Sequence, residues 1–114
     1  MGVQPGEAAD GALVIVTTTV ADEADAERLS ALLVERRLAA CVQRSAMRST
    51  YRWEGCLEDA REWRLDAKTA PERAEACAVA LAEAHPYDVP EVVTLRAEAS
   101  KGYAAWVRAE TVEG

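Results

Sequence analysis

The sequence is short of several things at once. It has no phenylalanine, one histidine, four prolines and no CxxC pair among its three cysteines. No apolar run approaches the ~18 residues that a membrane-spanning helix needs, so no membrane partner is expected. The opening Met1-Gly-Val-Gln-Pro-Gly6 lacks the basic and apolar regions of a secretory signal. It also lacks the Ser or Thr that a myristoylation site wants at its sixth position. Cys41, Cys56 and Cys77 are odd in number and read as reduced thiols, which fits the cytoplasm as the expected location.

Basic charge is scarce too. Thirteen Lys and Arg stand against twenty Asp and Glu, for a net charge of −7. Nucleic acid is excluded as a partner, because its binding rests on cations neutralising phosphates. Metal ions, cationic ligands and other proteins remain open. No glycine-rich phosphate loop and no nucleophile at a known catalytic spacing is present, so no enzymatic activity is expected.

What is there alternates clearly between strand and helix. Residues 1–11 carry no periodicity and read as a disordered tail, with a single domain over 12–112. Leu13 to Thr19 is a β-favouring run, apolar on both alternating sets near its start, which predicts a central strand covered on both faces. Asp22 stands as a helix N-cap, and Ala26, Leu29, Leu32 and Leu33 follow at helical spacing, with an end near residue 38. Residues 40–53 and 57–69 read as a long antiparallel hairpin turning at Glu54-Gly55. Trp63, Leu65 and Ala67 should face the core, opposite Arg64, Asp66 and Lys68.

Thr69-Ala-Pro-Glu72 has the form of a capping box, opening a helix that packs through Ala74, Cys77, Ala78 and Leu81 and ends by His85. Val92 to Arg96 is the fourth strand. A short last helix begins at Ser100 or Gly102, with Tyr103, Trp106 and Val107 on one face. The order β-α-β-β-α-β plus an extra C-terminal helix predicts an α+β, ferredoxin-like sandwich.

His85-Pro-Tyr-Asp-Val-Pro-Glu91 holds the lone histidine and two prolines. It is a stiff connector first, and at most half of a site. Cys77 and His85 lie eight residues apart, about 12 Å along one helix, too far to share an ion. Lys68, at a strand end leading into a helix, stands where anionic ligands often meet helix N-termini. An RNA-binding sheet would need exposed aromatics and a basic surface, and an acylphosphatase-like hydrolase would need a phosphate loop after the first strand. Neither is present.

Several segments together resemble one known family. Arg37-Leu-Ala-Ala-Cys-Val42, Tyr51-Arg-Trp-Glu-Gly55, Lys68-Thr69, His85 to Glu91 and Tyr103-Ala-Ala-Trp106 appear in order and at compatible spacing over about residues 12–110. The chain is identified by them as a member of the CutA family of divalent-cation tolerance proteins. The resemblance implies a tight homotrimer whose hairpins wrap neighbouring subunits, and a link to copper and other divalent metals. His85 and Cys41 are then the candidate donors for a weakly bound ion. Architectural similarity to the PII signalling proteins offers an alternative, a small-ligand sensor whose inter-subunit cleft takes in Trp53, Lys68, Tyr87 and Glu91. The chain departs from the family pattern at Gln43 to Arg48, which lack a Pro-Gly corner, and at Trp63 to Asp66. Arg44, Arg48, Arg64 and Asp66 are expected to put charge on the face that a trimer would cover.

Overall fold

The β-branched run at the start of the domain forms β1 (Ala12–Val20) in a computed structural model that describes residues 10–112. It lies inside a four-stranded antiparallel sheet of order β2-β3-β1-β4, in which β2 is Cys41–Trp53, β3 Cys56–Thr69 and β4 Val93–Glu98. Val14, Val16, Thr18 and Val20 point to one side and pair with Thr69, Ala67, Leu65 and Trp63 of β3. That side is covered by α1 (Glu23–Glu35) and α2 (Ala74–Ala84), through Ala26, Leu29, Leu33, Cys77 and Leu81, all fully buried. Each such leucine contributes about 2 kcal/mol by leaving water. The other side of β1 is covered by α3 (Lys101–Glu110), whose Val107 packs on Leu13 and Ala40. β1 is therefore covered on both faces, as its sequence implies. The alternation along β3 also holds, with Leu65 and Ala67 buried inward.

Local chemistry sets the ends. Asp22 occupies the N-cap of α1, and its carbonyl accepts from the Ala26 N–H at 3.1 Å, but its side chain makes no capping bond. α1 ends earlier than its apolar spacing implies. Arg37 turns left-handed (φ 56°), so that Leu38 N–H bonds Leu33 O at 2.9 Å and Arg37 N–H bonds Val34 O at 3.1 Å. This is a Schellman stop with arginine where glycine is usual. The hairpin turns through Glu54 (φ 50°) and Gly55 (φ 80°), the two positive angles of a type I′ turn.

Three expectations are corrected. Thr69 does not cap a helix: in the β3 ladder it pairs with Val14 and points inward, where its hydroxyl is buried without a partner among the described residues. A 3₁₀ turn over Pro71–Arg73 intervenes before α2. Second, Arg44 and Arg48 do not share a face with Arg64 and Asp66. The two-residue turn pairs Trp53 with Cys56, hence Arg44 with Leu65 and Arg48 with Arg61, which places both on the opposite face of the hairpin. Arg48 meets Asp59 at 3.2 Å, while Arg64 and Asp66 pair with each other at 3.1 Å within the subunit. Third, Asp10 and Gly11, expected within a disordered tail, are hydrogen-bonded to the domain. Gly11 O accepts from Ala99 N–H at 2.7 Å, and any side chain at Gly11 would collide with that alanine's carbonyl. Residues 1–9 lie outside the described residues.

Candidate functional site

α2 cannot continue past Ala84, because Pro86 forces the preceding residue into an extended conformation, and His85 adopts φ −70°, ψ 140°. The change of direction swings the imidazole off its helix and onto β1. Its Nε2 lies 3.0 Å from both Thr18 Oγ1 and Thr19 O, and its Nδ1 is 3.1 Å from the Tyr87 N–H. Thr18 donates its own proton to Glu91 O at 2.6 Å. Thr18 Oγ1 must therefore accept from the imidazole, and Thr19 O can only accept. Nε2 carries the proton and Nδ1 presents its lone pair to Tyr87. The ring is 9% exposed, and burial holds its pKa below the ordinary 6.5, against smaller upward pulls from the Thr19 carbonyl, Asp25 and Glu62.

Both ring nitrogens of His85 are thus engaged, and in this arrangement neither is free for the metal expected of it. One nitrogen is a donor and the lone pair of the other is already taken, so ligation would first have to break the Tyr87 contact. The residue is the corner bolt of the connector. Tyr87 packs against it with tilted rings, 4.8 Å between centres, and donates to Glu62 Oε2 at 3.3 Å. Burial raises the Tyr87 pKa, and the Glu62 carboxylate adds to the rise.

Cys41 lies at the far end of the sheet, on the face opposite the two main helices. Its Sγ is 3.3 Å from Tyr103 Oη, and this hydrogen bond, ahead of burial, pushes the phenol up to about 12. The Lys68 ammonium stands 5.9 Å from the centre of the same ring, and the Trp106 ring lies 5.7 Å from it on another side. The half-buried thiol, phenol and ammonium form one polar group where β2 begins, β3 ends and α3 crosses. Cys41 keeps a soft donor within reach of the surface, the kind that suits copper. Among the described residues, no group of three or more His, Cys, Asp or Glu is arranged to hold an ion.

The four residues expected to line a cleft do not meet within one chain. Trp53 is at the hairpin tip, 61% exposed, beside Cys56. Lys68 is twelve residues further along β3, about 40 Å at ~3.3 Å per residue. Tyr87 touches β3 about halfway, at Glu62. Glu91 uses its main-chain carbonyl to anchor Thr18, with its residue surface exposed.

Thr18 and Tyr103 carry more than the sequence suggested. A clue to the first is present: Thr18 is the one hydroxyl among Val14, Val16 and Val20 on the inward-facing parity, and a polar group there demands a buried partner. Glu62 left no such trace.

The profile of the CutA1 divalent ion tolerance protein family matches residues 14–110. The divalent-cation tolerance protein CutA of Pectobacterium atrosepticum is 38% identical over 98 residues, covering 84% of this chain and 89% of that one. Its counterpart in Pyrococcus horikoshii is 33% identical over 100 residues, covering 87% and 98%. The structure of CutA from Synechococcus elongatus matches with a TM-score of 0.85 at 34% identity, over 90% of this chain and 92% of that one. Sequence and overall fold agree, and the chain belongs to the CutA1 divalent ion tolerance family.

Proposed function

We propose that this protein acts in divalent-metal tolerance as a non-enzymatic homotrimer that binds its ion, copper foremost, weakly and between subunits. The observation that carries this is apolar surface that nothing among the described residues covers. Tyr51, Trp53 and Leu57 stand exposed on the projecting end of the hairpin, Leu57 at 72%. Val93 and Leu95 pair with Thr17 and Ile15 on the sheet face that α3 leaves partly bare. Exposed apolar residues on both the arm and the sheet of one small chain suit burial against further copies. Cys41 opens on the same face of the sheet and is the soft donor we assign to the ion. Its three unpaired thiols support a cytoplasmic, reducing setting. Recovery of the native protein from an oxidising compartment would overturn that placement.

Light scattering should give about three times the 12.3 kDa of the chain, and a monomer at micromolar concentration would overturn the assembly. Calorimetric titration with copper should show weak binding to the parent and at least tenfold weaker binding to Cys41→Ala. Equal affinities would remove Cys41 from the site.

A second function, small-ligand sensing between subunits, is favoured by the placing of Trp53 and Lys68 on the hairpin and of Tyr87 and Glu91 on the connector beside it. Such residues converge only if a neighbouring copy supplies some of them. A metabolite screen by thermal shift checks it, since a ligand of the folded state raises the melting temperature. No shift from any metabolite would remove it.

A further inference from the structure

We propose that His85 is a proton-operated latch that holds the 85–91 connector closed when neutral and frees it when a second proton reaches Nδ1. The geometry allows one protonation state only. Nε2–H has two acceptors, Thr18 Oγ1 and Thr19 O, and the Thr18 proton is fixed on Glu91 O at 2.6 Å. Among the described residues Nδ1 has one hydrogen-bond partner, and it is a donor, the Tyr87 N–H at 3.1 Å. A proton on Nδ1 would set N–H against N–H at that distance. A part-buried pair of facing donors loses its hydrogen bond and gains a repulsion, so the imidazolium and the closed connector exclude one another.

What moves is defined by what the connector carries. Tyr87 reaches from it to Glu62 on β3, near the point where β3 parts from β1, whose last pair is Val20 with Trp63. Glu91 returns to β1 through Thr18. Opening at Tyr87 therefore loosens the connector from the base of the hairpin while the core beneath β1 stays packed. The charged groups facing the imidazole are few. α1 supplies Asp25, which favours the cation, and Arg28, which opposes it and also binds Ala84 O at 3.0 Å. β3 supplies Glu62, the connector supplies the Tyr87 phenol, and β1 offers only threonines at this point. Burial outweighs the two carboxylates, so the neutral ring prevails at neutral pH. The latch concerns the connector alone and does not depend on the metal or the ligand proposed above.

With a single histidine in the chain, one experiment reads it without ambiguity. Two-bond proton–nitrogen correlation of the imidazole in the full-length protein, followed from pH 8 to 5, should show the Nε2–H tautomer and a midpoint below 6.5. Over the same range the Tyr87 amide should lose protection from hydrogen exchange. The loss should be about tenfold per pH unit between 6.5 and that midpoint, while amides of Val14 and Val16 keep theirs. An Nδ1–H tautomer, a midpoint at or above 6.5, or Tyr87 protection that stays level would each overturn the latch. So would loss at Tyr87 only together with the β1 amides. In His85→Gln, which cannot titrate, Tyr87 protection should be independent of pH, and the parent's acid-dependent loss in that variant would also overturn it. The parent titration decides by itself if the variant does not fold.

Discussion

Thr18 Oγ1 accepts from His85 Nε2 at 3.0 Å while donating to the Glu91 carbonyl at 2.6 Å. One hydroxyl on a central strand thus fastens both ends of a connector that begins 67 residues later in the chain. Thr18→Val keeps the shape and removes both bonds. The expected loss is about 1–3 kcal/mol, read as a lower midpoint in urea, with Thr18→Ser retaining most of the stability. A valine variant as stable as the parent would show that the hydroxyl contributes nothing.

The same imidazole gives stability an acid limb. Its folded pKa lies below 6.5, so the unfolded chain takes up a proton before the folded one does. The contribution is complete above about pH 6.5 and is lost as pH falls from there towards the lowered value. The slope is at most ~1.4 kcal/mol per pH unit. Comparing urea midpoints of the parent and His85→Gln from pH 8 to 5 isolates it, since glutamine lacks the limb.

Cys77 gives an alkaline limb of the opposite sign. Burial raises its thiol from 9.0 to about 11, so the folded chain keeps a proton that the unfolded chain releases. Stability should fall between those values, again by at most ~1.4 kcal/mol per unit. Cys77→Ala should flatten that stretch of the urea-midpoint curve.

The three thiols should react in a fixed order. Cys56 is exposed beside the turn, Cys41 is half-buried and hydrogen-bonded to Tyr103, and Cys77 is buried. Alkylation of the native protein near neutral pH, followed by mass spectrometry, should label Cys56 first and Cys41 later. Cys77 should react only on unfolding. Early labelling at Cys77 would contradict the packing of α2.

Thr69→Val should be neutral or stabilising by up to ~1 kcal/mol. It replaces a buried hydroxyl that has no partner among the described residues with a methyl group of similar size. A clear drop in the urea midpoint would reveal a partner for that hydroxyl.

Glu54→Asn should stiffen the hairpin end, by about 0.5–1 kcal/mol, because asparagine tolerates the φ of 50° that glutamate is held in there. Slower amide exchange at Trp53 and Cys56 is the readout. Unchanged exchange would mean that the turn does not limit opening of the arm.

Much of the architecture was legible because it rests on local periodicity. Alternation announced the inward set Trp63, Leu65 and Ala67, and the turn at Glu54-Gly55 announced the hairpin. That turn also fixes the register, so the opposite facing of Arg44 and Arg64 was countable from it. Thr69 does not follow its capping pattern, because a four-residue motif says nothing about which way its first side chain points. In a strand that direction is set by pairing with Val14. The site was harder. The partners of His85 are Thr18, Thr19 and the Tyr87 N–H, and only tertiary contact shows that its lone pair is taken. Cys41 and Tyr103 lie 62 residues apart and meet because α3 folds back across the sheet.

That return of α3 also brings the two ends of the described chain together. Arg108 donates to Asp10 O at 3.1 Å, and Gly11 is bonded to Ala99 just before the helix. The fold is therefore nearly a closed loop of chain, suited to circular permutation with a short joining segment. New ends cut between Glu54 and Gly55 would leave every inward residue of β1 and both main helices in place. They would leave the two strands of the arm joined by their pairing alone. Such a permutant would separate what the body of the protein does from what the arm does without altering a single side chain of the described fold.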